Sequence, residues 1–264
     1  MKKVLLSLVA AFFIFGCSSV PITGRNQLNM VSDDEVNALS FQSYSDLIAN
    51  SKVIKTGADA TLVKTVGQKI AASAEAFLKD AGMESEIASY KWEFNLIDSP
   101  EVNAFCMPGG KIAVYTGILP VTKNADGLAV VLGHEVGHAI AKHAAERMSQ
   151  QQLAGIGSTV LGAATAKQSQ QTQQMAQIAF GVGTQVGVLL PYSRKHEAEA
   201  DKIGLILMAR AGYNPNYALT FWQDMTKATG GGGGGLLATH PSDAARIEGI
   251  KAALPEAMKY YKGK

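Results

Sequence analysis

The chain has 264 residues, 47% apolar, 17% charged and 7% aromatic, enough for a sizeable hydrophobic core and unlike disordered, collagen-like or disulfide-scaffold chains. Its 24 Lys and Arg stand against 22 Asp and Glu, a formal charge of +2, and the balance falls to zero without Lys2 and Lys3, which lie in a segment read below as removed. A neutral chain has no electrostatic footprint for a phosphate backbone, so nucleic acid is not an expected partner.

Lys2 and Lys3 precede an apolar run from Val4 to Phe15, long enough for the core of a signal peptide and too short to span a bilayer. The run closes at Gly16-Cys17, a pattern that resembles a bacterial lipoprotein cleavage site. Residues 1–16 are thus expected to be a signal peptide, Cys17 the lipidated residue and 17–31 a polar, lipidated tether. Ser18 is similar to an outer-membrane sorting signal, which predicts an outer membrane lipoprotein facing the periplasm. Cys106, the other cysteine, then has no intramolecular partner; a Cys17–Cys106 disulfide is the rival reading and excludes lipid.

Residues 32–264 read as one domain. Ser32-Asp33-Asp34-Glu35 supplies an N-cap and an acidic first turn for a helix to about Asn50. Leu62, Val66, Ile70, Ala74 and Phe77 recur at helical spacing in a second helix closed by Ala81-Gly82. Tyr90, Trp92, Phe94 and Leu96 alternate as in a half-buried strand. Val102 to Met107 then turns at Pro108-Gly109-Gly110 into Lys111–Tyr115, predicting a small antiparallel sheet. A long helix is expected from an Asp126 N-cap through Arg147. Two Gly/Ala-rich stretches, Leu153–Ala166 and Ile178–Leu190, flank the Gln-rich Lys167–Gln177. They predict a helical hairpin over 153–190 with a polar tip, buried against the protein by default, with membrane contact as the alternative. Pro191 ends it, Ser193 caps a helix over Arg194–Ala211, and Gly212 and Pro215 stop that helix. Gly230–Gly235 predicts a mobile loop, and Ser242 caps a last helix to about Leu254. The fold class is α+β, mostly helical, with the small antiparallel sheet.

His134 and His138 lie four apart on a helical segment, so their imidazoles sit about 40° apart on one face and can reach one metal ion. His134-Glu135-Val136-Gly137-His138 fits H-E-x-x-H, in which two histidines bind zinc and the glutamate acts on a water. Gly133 and Gly137 each cost roughly 1 kcal/mol against Ala in a helix and need a packing or access reason. A catalytic zinc needs a third ligand. Ala144 excludes the metzincin position, and His143 projects about 180° from His134 on a continuous helix, as a core or network histidine. Glu197 and Asp201 share a face of the later helix, and one can bind metal while the other holds a ligand histidine. Glu199 projects elsewhere and reads as solvated; His196 is a rival donor.

With H-E-V-G-H, E-A-E-A-D from Glu197 to Asp201 and T-H-P-S from Thr239 to Ser242, the stretch Asn103–Ile250 resembles the zinc metallopeptidases of the HtpX, BepA and LoiP type, relatives of the Oma and CAAX-prenyl Ste proteases. The resemblance implies one Zn2+ per chain, held by His134, His138 and Glu197, in a zincin-like domain with Glu135 as general base. It implies Asp201 as an outer-sphere or proton-donating acid, and His240 either stabilising the transition state or occupying the water position in a latent form. Asn103, Ala104 and Phe105 resemble the family's substrate-binding edge strand, and Arg246 matches an arginine after T-H-P, with a helix-surface role equally open. The implied function is a zinc endopeptidase of the bacterial cell envelope acting on misfolded or stalled envelope proteins, held to the membrane by its lipid. The alternative is a non-catalytic, chaperone-like envelope lipoprotein that keeps zinc for structure.

Overall fold

The computed structural model describes residues 17–20, 23–185, 189–228, 235–240 and 244–263. The signal-peptide reading of 1–16, the Cys17 side chain, Gly230–Gly234 and the Ser242 cap fall outside them. Residues read as a tether are folded against the domain. Strands β1 (Cys17–Ser19) and β2 (Asn26–Leu28) form an antiparallel hairpin. Val20, Gln27 and Val31 are buried, and the Met30 amide donates to Ser149 Oγ at 2.8 Å. Two valines and an amide satisfied by the domain are what the polar reading of this stretch overlooked.

Helix α1 (Asp33–Ala49) starts as expected, with Ser32 accepting from the Glu35 amide. After β3 (Val53–Ile54), helix α2 (Ala58–Asp80) buries Val63, Val66, Ile70, Ala74 and Leu78; Leu62 and Phe77 flank this stripe and are only partly buried. A short α3 (Glu84–Ile87) leads to the sheet strands β4 (Glu93–Ile97), β5 (Ala104–Met107) and β6 (Lys111–Tyr115). The order is β3-β4-β6-β5. The sheet is mixed, correcting the antiparallel expectation: β5 and β6 form the antiparallel hairpin, but β4 runs parallel to β6. Ile112, Ala113 and Val114 are all buried, an apolar run that suits a central strand. The hairpin therefore inserts β6 next to β4 and leaves β5 at the edge.

After α4 (Leu119–Thr122), helix α5 (Ala125–Ile140) is capped by Asn124, which accepts from the Gly127 amide, and not by Asp126. Asp126 accepts from the Asn214 amide instead. Every residue from Gly127 to His138 is buried, polar ones included, so the helix is enclosed on all sides and is the centre of the domain. It does not continue to Arg147. Lys142 is left-handed (φ 53, ψ 33), and a new helix, α6 (His143–Thr165), leaves in another direction. With α7 (Gln170–Thr184) it forms the expected helical hairpin. The hairpin packs mainly on itself, through the Ser158 and Gln177 hydrogen bonds. Leu153, Ile156, Val160, Met175, Ile178 and Val182 are 41–66% exposed, which overturns burial against the protein. Among the described residues no helix is long and apolar enough to cross a membrane.

Helix α8 (Leu190–Arg210) begins earlier than expected, with Pro191 in its first turn, where a missing amide costs nothing, and stops at Gly212 (φ 84). Among the described residues, α9 (Tyr217–Ala228), α10 (Leu236–Thr239) and α11 (Ala244–Met258) follow. Helices α2, α8 and α9 and strand β5 pack around α5.

Candidate metal centre

Helices α5 and α8 meet along a seam with almost no side chains. A Cβ on Gly133 would lie 2.8 Å from Gly204 O, and one on Gly137 2.8 Å from Ala200 O. These contacts supply the packing reason that the two glycines require. The close approach brings Glu197 of α8 to the histidines of α5. His134 Nε2 and His138 Nε2 are 3.1 Å apart; Glu197 Oε2 is 3.2 Å from the first and Oε1 3.3 Å from the second. His240, at the end of α10, places Nδ1 3.0 Å from both Glu197 oxygens and 3.2 Å from His134 Nε2. Ligand atoms of the four buried groups all lie within 4.8 Å of one another. A tetrahedral zinc with bonds of roughly 2.0–2.1 Å separates its donors by roughly 3.3–3.4 Å, so the donor set fits one ion.

The charges around these atoms favour a cation. Burial would raise the Glu197 carboxyl, but hydrogen bonds from His134, His138 and His240 hold it far below the usual carboxylate range. Burial and Arg246 act to lower His134, yet Asp201 and Glu197 outweigh them and raise it to about 9. Burial pushes His138 well below its ordinary value.

Asp201, one turn after Glu197, has Oδ1 2.8 Å from His134 Nδ1 and accepts from Arg246 Nε at 2.7 Å. Burial would raise this carboxyl too, but Arg246 and His134 hold it at about 2. Its contacts are those of an acceptor that holds the ring of His134. Arg246 is buried rather than on the helix surface: it stacks 3.6 Å over the Trp222 ring, approaches Glu197 Oε2 at 3.3 Å and donates to His240 O at 3.2 Å. It thereby binds both carboxylates to the loop carrying His240.

Glu135 is buried beside the donors. Its Oε2 accepts from the Cys106 amide at 3.3 Å; its Oε1 has no hydrogen bond among the described residues and lies 3.4 Å from His240 Nε2. The Cys106 amide points away from β6, and the Ala104 amide is met by Asn103 Oδ1. By the alternation of an antiparallel ladder, Ala104 and Cys106 present their backbone to the free edge, whereas Phe105 faces Ala113 of β6. Of the expected trio Asn103, Ala104 and Phe105, only Ala104 therefore offers edge backbone; Asn103 O accepts from the Tyr115 amide. Cys106 was missed as an edge residue. It forms no disulfide among the described residues, and burial pushes its thiol up.

A second group lies behind His138. His143 is the buried network histidine expected, outside the donor group, but the helix is not continuous: the turn at Lys142 swings it back, so that its Nδ1 is 2.7 Å from His138 Nδ1. Glu199 is buried, not solvated, and pairs with His143 and Arg25. His196 meets Glu146 and not the metal donors.

The sequence profile of peptidase family M48 matches residues 63–254. The chain is 37% identical to mitochondrial metalloendopeptidase OMA1 of Schizosaccharomyces pombe, over 90% of this chain and 67% of that one. It is 30% identical to metalloendopeptidase OMA1 of Homo sapiens, over 96% of this chain and 48% of that one. Over 51% of this chain and 28% of the other it is 30% identical to the beta-barrel assembly-enhancing protease of Escherichia coli. The chain thus spans two thirds of the first relative and about half or less of the other two. A profile match across the core, joined to a His-His-Glu donor set on two backbone-packed helices, places this chain in peptidase family M48, among the zinc metallopeptidases.

Proposed function

We propose that this protein is a zinc endopeptidase of the bacterial cell envelope, cleaving misfolded or stalled envelope proteins. We further propose that it sits on the outer membrane, facing the periplasm, through a lipid on Cys17. The observation that carries the hydrolytic reading is Glu135: a buried carboxylate, one oxygen of which has no hydrogen bond among the described residues, beside the donor set and the edge strand β5. His134, His138 and Glu197 would hold the zinc, which when bound would supply a Lewis acid for amide hydrolysis. Glu135 is placed to take a proton from an attacking water and hand it to the leaving amine, as base and then acid. Ala104 and Cys106 align the substrate backbone as an added strand, Asp201 holds the His134 tautomer, and Arg246 keeps the carboxylates in place. His240 Nδ1, 3.0 Å from both Glu197 oxygens, joins the other three residues in one four-donor group, and on this reading it latches the protein in a resting arrangement.

Glu135→Gln is expected to retain zinc and lose casein hydrolysis; wild-type cleavage by that variant would remove Glu135 from the mechanism. The envelope assignment draws on the name of the Escherichia coli relative and on the N-terminal pattern. Metabolic labelling with a radioactive fatty acid tests it, and a soluble, unlabelled product in cells refutes the anchor.

A further inference from the structure

The N-terminal hairpin reaches the metal centre through a continuous chain of hydrogen bonds. Arg25 forks onto Glu146, Nη1 to Oε1 at 2.8 Å and Nη2 to Oε2 at 2.7 Å, and its Nε donates to Glu199 Oε2 at 2.9 Å. Thr23 Oγ1 donates to Glu199 Oε1. On the other side, Glu199 Oε2 is 3.0 Å from His143 Nε2, and His143 Nδ1 is 2.7 Å from His138 Nδ1. His196 stacks on His143 at 4.2 Å and reaches Glu146 Oε2 at 2.9 Å, closing the group from behind. The carboxylates of Glu146 and Glu199 and both histidines are buried.

Only one arrangement of protons satisfies this chain. His138 Nε2 needs a bare lone pair to face the metal, so His138 carries its proton on Nδ1 and donates to His143 Nδ1. His143 must then carry its own proton on Nε2 and donate to Glu199, whose charge Arg25 balances. A ligand histidine usually gives its second N–H straight to a carboxylate or carbonyl; here an imidazole is interposed, and the carboxylate beyond it is held from another part of the chain.

We propose that Arg25, Glu199 and His143 are positioning residues for the metal centre: the N-terminal hairpin fixes the tautomer and ring orientation of His138 through this relay. Zinc retention then depends on the docking of a segment that reads in sequence as a mere tether. The proposal rests on His138 being a zinc ligand.

The test is the zinc dissociation constant of the full chain, measured by competition with a chromogenic chelator. Arg25→Ala and His143→Leu are each expected to weaken zinc about 10- to 100-fold, the range seen when partners of ligand histidines are removed. Arg25→Lys, which keeps the charge but loses the fork, is expected to fall between them and wild type. Val20→Ala, in the same hairpin but outside the relay, is expected to lower the melting temperature and leave zinc affinity unchanged. Should Arg25→Ala fail to fold, Glu199→Gln gives the reading at nearly constant side-chain volume. Wild-type affinity in the relay variants overturns the proposal, as does an equal loss in Val20→Ala. A wild-type chain that binds no zinc overturns the metal-centre reading itself.

Discussion

Gly133→Ala adds one methyl group to the seam between the two ligand-bearing helices. Its Cβ would stand 2.8 Å from Gly204 O, where ordinary contact begins at 3.4 Å, so the helices must part by about 0.6 Å. Zinc–ligand distances tolerate only about 0.2 Å. The substitution also raises helix propensity by up to about 1 kcal/mol, set against roughly 1–3 kcal/mol for overpacking a tight core. The net change in folding stability is therefore small, between neutral and about 2 kcal/mol destabilising, while the metal site takes the full displacement. We expect Gly133→Ala to weaken zinc about tenfold or more with a modest change in the melting temperature of the metal-free protein. Gly155→Ala on α6, with nothing within 4 Å of the new Cβ, serves as the control and should be stabilised by up to about 1 kcal/mol with zinc affinity unaltered. Equal stabilisation and equal zinc affinity in both variants would refute the idea that the seam sets the ligand spacing.

Glu197→Ala should yield folded protein without bound metal, read by atomic absorption after gel filtration; full zinc occupancy removes Glu197 from the ligand set. His240→Ala should raise the rate of hydrolysis of an unfolded protein, because it frees the position beside Glu197. A slower variant that still carries zinc would instead make His240 a donor in the reaction. Burial would raise Glu146, but His196 and Arg25 hold it at about 2 against an ordinary value of 4.5, so its contribution is present above pH 4.5 and drains away as pH falls towards 2. At about 1.4 kcal/mol per unit this is at most about 3 kcal/mol. In urea unfolding, the stability gap between wild type and Glu146→Gln should close over that range, and a gap that does not vary with pH contradicts the pairing.

The chemistry was legible where it is local. Helical spacing alone puts His134 and His138 on one face, and Glu197 and Asp201 one turn apart on another helix, whereas the choice of Glu197 over Asp201 as the donor came from the family resemblance. Ser32 announced α1 because a cap involves only four residues. What sequence concealed depends on distant partners. A left-handed Lys142 costs roughly 1–2 kcal/mol, and it is held by ion pairs to Asp33 at 2.7 Å and Glu86 at 3.0 Å, residues far away in the chain. Without that turn His143 points the wrong way. Arg25 sits in a polar stretch with no periodicity, and Arg246 looks like any helix-surface arginine until Trp222 and Asp201 surround it. The parallel β4–β6 pairing was likewise hidden, since alternation reveals a strand and not its neighbour.

The outward amides of β5 are engaged within the chain, that of Ala104 by Asn103 Oδ1 and that of Cys106 by Glu135 Oε2. On the reading proposed above, a peptide laid along this strand would have to displace both acceptors. At Cys106 that exchange would detach Glu135 from the strand, so that arrival of a peptide and release of the base would be one event.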